Sequence, residues 1–197
     1  MNAPFGRSKR RSRRRNAKSS CARSASRPAW RQSGRRRTMH ERMFHHVLVP
    51  ADGSEASVAA AHLGFRMARN CEANVELIYV VDALLCEELR RYDHRELEEI
   101  RAELAEQGER TLRVLAEEAE RMGLKVVTSV RRGDPFEEIV AHARETQCDL
   151  IVMGHVGRRP RAQVLLGSVA ERVLEFAPCP VMVVKHAETD APAHRVA

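Results

Sequence analysis

Short apolar runs alternate with stretches of helical periodicity over residues 43–187, and this alternation constrains the fold more than any other feature of the chain. Each run is rich in Val, Ile and Leu, as in strands that are buried on both faces of a sheet. Parallel strands need long crossover connections, which the helical stretches supply. The sequence therefore predicts an α/β fold with a doubly wound, five-stranded parallel sheet and helices on both faces. The predicted strands cover residues 47–49, 75–81, 126–130, 150–153 and 181–184.

The stretches between the strands carry an apolar residue at every third or fourth position, which is typical of helices that lie on a sheet. One of them begins with a capping Asp134, with Pro135 at the first helical position and Glu137 three residues after the cap. The long stretch between the second and third strands is interpreted as one amphipathic helix. Besides the helix that Asp134 caps, the predicted helices cover residues 54–70, 97–122 (this long stretch) and 168–176.

Charge divides the chain into two unlike parts. Residues 1–42 contain 15 of the 34 Lys and Arg residues and a single acidic residue, Glu41, whereas the remainder contains 19 basic and 26 acidic residues. The first part has no hydrophobic periodicity and cannot bury enough apolar surface to offset the entropy of ordering it. We expect a disordered Arg-rich extension at 1–42, a globular domain at 43–187 and a flexible C-terminal tail at 188–197.

Three interpretations of the basic extension remain open. Clustered arginines neutralise phosphates and release counterions, so the extension could contact nucleic acid, with Trp30 stacking on a base. Its Arg- and Ser-rich, acid-poor composition also fits an organelle targeting segment. In the third interpretation the extension is not part of the working protein, because translation from Met39 or Met43 would still give a complete domain.

The five cysteines form no C-x-x-C pair and are odd in number, which argues against a disulfide framework and a zinc site. We expect them to be small buried residues with reduced thiols, and Cys179 to be packed between its two flanking prolines. No apolar run approaches the roughly 20 residues that cross a bilayer, and the N-terminus has no secretory signal. The sequence therefore predicts a cytoplasmic protein without a membrane segment.

Three segments follow strands at the edge where ligands bind in open parallel sheets, namely residues 50–54, 80–82 and 154–168. The third places Gly154 and Gly157 after a strand, and Gly167 and Ser168 at the start of a helix. Glycines let backbone N–H groups approach phosphate oxygens, and a helix N-terminus favours negative charge. The same glycines could serve ordinary turns, and Ser168 could be a helix cap.

The sequence lacks the usual catalytic and phosphate-binding fingerprints. No G-x-G-x-x-G follows the first strand, no Walker A motif occurs, and neither Lys125 nor Lys185 lies in the glycine loop. His155 is interpreted as a loop histidine that contacts solvent or phosphate rather than as a general base, and His45 and His46 as surface residues at the opposite end of the sheet. We therefore assign no catalytic residue and no metal ligand.

These motifs resemble those of the universal stress protein family, from about residue 44 to about residue 185. PADGS at 50–54 is similar to the turn after the family's first strand, and residues 154–168 fit the G-x2-G-x9-G-[ST] pattern of its ATP-binding subgroup. GSVAERVLEFAPCPVMVVK, at 167–185, is similar to the last helix and strand. His155 and Pro160 depart from the commonest form of the family's glycine loop.

The resemblance implies an adenine nucleotide α-hydrolase-like fold that binds ATP, with Mg²⁺ carried on the phosphates. Asp52 would lie beside the adenine or ribose, Val80 at the adenine edge, and Gly157 and Gly167 at the phosphates. The full set implied to bind the nucleotide is Pro50, Ala51, Asp52, Val80, Met153, Gly154, Gly157, Gly167, Ser168 and Val169.

The resemblance also implies a homodimer joined through the last strand, and a nucleotide-dependent stress-response or signalling module that is at most a slow ATPase. Asp52 could instead be only a turn or helix-capping residue. Two other functions remain open: a nucleic-acid-associated protein that uses residues 1–42, or a dimerisation module that binds no nucleotide.

Overall fold

The computed structural model describes residues 43–158 and 165–185, and its strands form one sheet. All neighbouring strands are parallel, and their order across the sheet is β3-β2-β1-β4-β5. The fold confirms the predicted five-stranded parallel sheet. The predicted extension at 1–42, the tail at 188–197 and Pro160 lie outside the described residues. The strands are β1 (His46–Pro50), β2 (Asn74–Asp82), β3 (Val126–Gly133), β4 (Leu150–Gly154) and β5 (Val181–Val184).

Helices cover both faces of the sheet, and the alternating side chains of each strand enter two separate cores. On one face, Val47 and Val49 of β1 pack in a core with the first three helices, whereas Leu48 packs on the other face with the last two. All three side chains are fully buried, which explains the uninterrupted apolar run of this strand. The helices are α1 (Glu55–Cys71), α2 (Ala83–Asp93), α3 (Leu97–Arg121), α4 (Pro135–Thr146) and α5 (Ser168–Phe176).

The region between β2 and β3 contains a helix that was not predicted, in addition to the predicted one at 97–122. Asp82 caps a separate helix α2 by accepting hydrogen bonds from the N–H groups of Leu84 (2.8 Å) and Leu85 (3.3 Å). His94, in the left-handed conformation at φ +51°, ends α2 before α3 begins. The sequence did not mark the end of α2, because a left-handed position of this kind usually carries Gly or Asn, and here it carries a histidine. β3 is also three residues longer than predicted, since it pairs with β2 as far as Gly133.

Helix α4 begins as predicted. The carboxylate of Asp134 accepts a hydrogen bond from the N–H of Phe136 at 2.9 Å, with Pro135 at the first helical position. Asp134 also pairs with Arg172 at 3.2 Å, while Arg131 pairs with Glu145. The charged residues near the end of β3 therefore cap a helix and pair with side chains of α4 and α5.

Helix α3 approaches the sheet closely at Gly108. A Cβ on this glycine would lie 2.4 Å from Cδ1 of Tyr79 in β2, far inside van der Waals contact. The absence of a side chain thus lets α3 lie against the Tyr79 ring. This approach brings the middle of α3 towards the carboxyl ends of the strands.

No helix within residues 43–158 and 165–185 is long and apolar enough to cross a membrane.

Candidate functional site

The strand order reverses between β1 and β4, because the chain runs outward from β1 to β2 and β3 on one side and to β4 and β5 on the other. In open parallel sheets, ligands bind in the crevice beyond the carboxyl ends of the strands at this point. Here the turn that follows β1 meets the loop that follows β4. Both loops carry residues that were predicted to bind a nucleotide.

Asp52 holds these two loops together. Its Oδ1 accepts hydrogen bonds from the N–H of Ser54 (2.9 Å) and from its hydroxyl (2.6 Å), and its Oδ2 accepts one from the N–H of Arg158 (3.0 Å). Ser54 in turn caps α1 by accepting a hydrogen bond from the N–H of Ser57 at 3.2 Å. The interpretation of Asp52 as a turn residue is therefore confirmed, while its contact with a nucleotide stays a prediction.

Two of the three predicted anchor glycines, Gly154 and Gly157, lie where the chain has no room for a side chain. A Cβ on Gly157 would lie 2.8 Å from Oδ2 of Asp52, and one on Gly154 would lie 2.8 Å from the backbone of Ala56. The N–H of Gly167 donates a hydrogen bond of 2.7 Å to the carbonyl of His155. The glycines therefore allow the loop after β4 to pack against α1, and they place the start of α5 beside that loop.

Helix α5 begins without a side-chain cap. Gly167 is its N-cap residue and provides no side chain, whereas Ser168 is the first helical residue and is exposed. The interpretation of Ser168 as the helix cap is therefore wrong. Because the first N–H groups of any helix lack acceptors within it, those of α5 remain available for another acceptor. An anion is the partner that such a helix terminus favours.

The other predicted nucleotide-binding residues lie at the same edge of the sheet. Pro50 ends β1, and the N–H of the buried Ala51 donates a hydrogen bond of 2.8 Å to the carbonyl of Ile78 in β2. Val80 is half-buried near the end of β2, and Met153 is buried near the end of β4. Val169, in the first turn of α5, packs against the core on that face.

Sequence reasoning missed the part of the site that α3 provides. The guanidinium carbon of Arg158 lies 5.7 Å from the centre of the Tyr79 ring, and its Nη1 lies 3.4 Å from Oε1 of Gln107. Burial raises the pKa of Tyr79, and the charge of Arg158 partly offsets that rise. A signal was present in the sequence, since Gly108 inside a long helix marks a close approach of another chain segment. Arg158 thus has aromatic and polar partners beside the crevice.

His155 contributes to this arrangement through its backbone. Its N–H donates a hydrogen bond of 3.0 Å to the carbonyl of Val184 in β5, and its carbonyl accepts the hydrogen bond from Gly167. Its Nδ1 is buried and has no hydrogen-bond partner among the described residues. His155 therefore links the glycine loop to the last strand and to α5.

A surface groove elsewhere on the domain is lined by α3 and β3, including Leu112, Ala116, Val126 and Val130. None of the predicted nucleotide-binding residues lines it. In the part of the chain that is described, no group of three or more His, Cys, Asp or Glu side chains is arranged to hold a metal ion.

Three polar residues are buried together near the amino-terminal ends of β1 and β2. Oε1 of Glu76 lies 2.7 Å from Nε2 of His142, and its Oε2 lies 3.0 Å from Nε2 of His46. Burial alone would raise the pKa of Glu76, but hydrogen bonds from His142 and His46 outweigh it and lower that pKa to about 2. His46 is 7% exposed, so its predicted surface position is wrong, whereas His45 is exposed as predicted.

The fold and the crevice together define an open parallel α/β protein with a candidate ligand site where the strand order reverses. Residues 43–185 match the model of the Universal stress protein family, and the chain belongs to that family.

Three relatives show how far the similarity extends. Universal stress protein MJ0531 of Methanocaldococcus jannaschii is 40% identical over 145 residues, which cover 74% of this chain and 84% of the relative. The solved structure of MJ0577, from the same organism, has a TM-score of 0.62 at 29% identity and covers 73% of this chain and 97% of its own. A universal stress protein solved in complex with cAMP has a TM-score of 0.51 at 24% identity, over 72% of this chain and 96% of its own. At 24% identity, this similarity shows a shared fold and nothing further.

Proposed function

We propose that this protein binds ATP in the crevice between the carboxyl ends of β1 and β4, and that it acts as a nucleotide-dependent stress-response or signalling module. One observation carries the proposal, namely the convergence of the two loops with the start of α5. Asp52 accepts a hydrogen bond from the N–H of Arg158 at 3.0 Å, and the carbonyl of His155 accepts one from Gly167 at 2.7 Å. Residues of both predicted motifs therefore lie side by side.

The phosphates would lie against the start of α5. Gly167 provides no side chain, so the N–H groups of Ser168 and Val169 can point at phosphate oxygens, and the exposed hydroxyl of Ser168 can donate as well. Gly157 lets the loop backbone approach from the other side. The guanidinium of Arg158 adds positive charge. Mg²⁺ would be carried by the phosphates, since Mg²⁺ keeps several waters and needs few protein ligands.

The nucleoside would lie over the ends of the central strands. Pro50, Ala51 and Val80 would contact the adenine, while Met153 and Gly154 would line the ribose. Asp52 would exchange one of its present hydrogen bonds for one from the nucleoside, so that nucleotide binding and the contact between the two loops would be coupled. Such a coupling is one way in which occupancy could change a surface that a partner recognises.

Binding rather than fast hydrolysis is the proposed activity. Asp52 is held by hydrogen bonds with Ser54 and Arg158, and His155 takes part in the loop through its backbone. Neither residue is placed as a free general base, so hydrolysis would be slow. Nucleic-acid binding through residues 1–42 stays a prediction about a segment outside the described residues.

The first test is to identify any nucleotide that co-purifies with the protein, by mass and absorbance, and then to titrate ATP by calorimetry. Gly167→Val should weaken ATP binding by about tenfold or more, which is about 1.4 kcal/mol, because its Cβ would lie 3.3 Å from the carbonyl of His155 and crowd the phosphate position. Glu96→Val is the matched control. Glu96 is the exposed N-cap of α3 and likewise makes no side-chain cap hydrogen bond.

Circular dichroism of both variants separates loss of binding from loss of fold. If Gly167→Val unfolds, Ser168→Ala removes only an exposed hydroxyl and should still weaken ATP binding. Titrations with AMP and cAMP compare the adenine nucleotides. The proposal fails if the folded protein gives no heat with millimolar ATP, or if Glu96→Val weakens binding as much as Gly167→Val does.

A further inference from the structure

Two cysteines that are 31 residues apart in sequence have adjacent sulfurs. Sγ of Cys148 lies 3.7 Å from Sγ of Cys179, and both thiols are free. Cys148 follows the C-terminus of α4 and is 6% exposed, whereas Cys179 lies between Pro178 and Pro180 just before β5 and is half-buried. Cys179, which was predicted to be packed between its two flanking prolines, therefore has a second thiol as its neighbour.

We infer that Cys148 and Cys179 form a redox modification site, in which a peroxide converts the two thiols into a reversible intramolecular disulfide. The inference is independent of nucleotide binding, because it rests on the geometry of these two side chains.

The backbone around the two cysteines keeps the sulfurs within reach of each other. The N–H of Ile151, three residues after Cys148, donates a hydrogen bond of 3.0 Å to the carbonyl of Pro180, the residue after Cys179. Both cysteines lie outside helices and strands. A disulfide needs an S–S distance of about 2.05 Å, so the sulfurs must approach by roughly 1.6 Å. Side-chain rotation and small loop shifts can supply that movement without breaking an element.

The surroundings assign different roles to the two thiols. The hydrogen bond between the two thiols lowers the pKa of Cys179, while the same hydrogen bond and burial raise the pKa of Cys148. The thiolate is the reactive form, and reaction also needs access to the oxidant. Cys179 is therefore the residue that the peroxide reaches first, and Cys148 is the residue that resolves the product.

The reaction balances in two steps. The thiolate of Cys179 attacks one oxygen of hydrogen peroxide, the O–O bond breaks, and hydroxide leaves and takes up a proton to become water, which leaves a sulfenic acid on Cys179. The sulfur of Cys148 then attacks the sulfenic sulfur, an S–S bond forms, and the S–O bond breaks. The departing hydroxide takes the Cys148 proton and becomes a second water. Two thiols are oxidised and one peroxide is reduced to two waters.

The disulfide would close a loop that contains the glycine-loop part of the candidate nucleotide site. The residues between the two cysteines include β4, the glycines Gly154, Gly157 and Gly167, and the whole of α5. A cross-link restricts the chain between its two ends. Oxidation would therefore join the two ends of this segment covalently, at the end of the sheet opposite the crevice.

The test uses the full chain with Cys21→Ser, so that only the four described cysteines remain. The reduced protein is treated with hydrogen peroxide, alkylated and digested with trypsin, which gives one peptide with Cys148 (residues 145–158) and one with Cys179 (173–185). Mass spectrometry should find the two peptides joined and lighter than their sum by two hydrogen atoms. Dithiothreitol should separate them again, and it leaves any methionine sulfoxide unchanged.

Three variants separate this site from general thiol oxidation. Cys71→Ser, which removes another half-buried free thiol, should leave the cross-link unchanged. In Cys148→Ser, dimedone should trap the sulfenic acid of Cys179, whereas in Cys179→Ser the buried Cys148 should stay reduced. The inference is overturned if peroxide oxidises Cys179 without joining it to Cys148. It is also overturned if the cross-link joins Cys179 residues of two chains, or if Cys179→Ser still leads to oxidation of Cys148.

Discussion

A buried carboxylate between two histidines is the residue-scale feature with the clearest energetic consequence. Glu76 and His142 are each about 5% exposed in their side chains and lie 2.7 Å apart, and His46 lies 3.0 Å from the second carboxylate oxygen. Removing one partner of a buried charged cluster leaves the remaining charges unpaired in the interior. This costs more stability than the loss of an exposed ion pair. The cluster lies at the end of the sheet opposite the crevice.

Glu76→Gln should therefore lower the free energy of unfolding by about 3 kcal/mol. Glu118→Gln is the matched control, because Glu118 also pairs with a histidine, His62, at 2.9 Å, but with side chains 34% and 54% exposed. That substitution should cost less than about 1 kcal/mol. Urea denaturation measures the free energy of unfolding of both variants. Equal losses of this free energy would show that burial of the cluster adds nothing to stability.

The same cluster predicts a dependence of stability on pH. The pKa of Glu76 falls from its ordinary value of 4.5 to about 2 in the folded protein. A lowered carboxylate pKa stabilises the fold above the unfolded value, and that contribution is lost as the pH falls through the folded value. The difference in unfolding free energy between the wild type and Glu76→Gln should therefore be larger at about pH 4.5 than at pH 2, towards which it narrows. A difference that persists unchanged at pH 2 would contradict the prediction.

At the scale of the elements, the approach of α3 to β2 decides how the crevice is lined. Gly108 lies against the Tyr79 ring, and the residue before it, Gln107, reaches Arg158 of the loop after β4. A helix residue with a side chain at position 108 would push α3 away from the sheet. The contact between α3 and the glycine loop thus depends on a single small residue.

Gly108→Ala should destabilise the protein by about 1–3 kcal/mol through overpacking, although Ala is the better helix former by about 1 kcal/mol. Gly64→Ala in α1 is the comparison, since its Cβ would meet one methyl of Val49 at 3.0 Å rather than a ring at 2.4 Å. We expect Gly64→Ala to lower the thermal unfolding temperature less than Gly108→Ala does. In a Tyr79→Ala background the cost of Gly108→Ala should shrink, and an unchanged cost would exclude the ring as its cause.

At the scale of the whole molecule, β5 is the edge strand of the sheet, next to the strand β4 that leads into the glycine loop. It pairs with β4 on one side, and its residues Val181–Val184 are half-buried. The carbonyls of Pro180 and Val184 accept hydrogen bonds from Ile151 in β4 and from His155 just after it, so the alternation of a parallel ladder directs Met182 towards β4 as well. The N–H of Val183 therefore faces the open edge, where the predicted homodimer would form.

Val183→Pro should convert the predicted dimer into a monomer while the domain stays folded, because Pro removes an edge donor and is tolerated on edge strands. Met182→Pro is the matched control and should destabilise the fold itself, since it removes a donor to β4. Light scattering should show the mass falling from about two chains to one chain of 22.3 kDa. A monomeric wild type, or a Val183→Pro variant that stays dimeric, would exclude dimerisation through this edge.

The parallel sheet, the order of its strands along the chain, the Asp134 cap and the turn role of Asp52 could all be predicted from the sequence. The separate helix α2 could not, because His94 ends it in a conformation that this residue type does not signal. The contribution of Tyr79 and Gln107 to the site was missed as well. Both residues resemble ordinary sheet and helix positions until the packing of α3 is known.

The division between the two sources of information has a physical reason. Periodicity, strand composition and helix caps depend on residues a few positions apart, so the sequence by itself determined every strand, every helix except α2, and the family pattern of the glycine loop. The hydrogen bond from Arg158 to Asp52 spans 106 residues, that between Glu76 and His142 spans 66, and the approach of Cys148 to Cys179 spans 31. Only the tertiary structure decided these contacts, because the order of the strands and the packing of the helices bring such distant segments together.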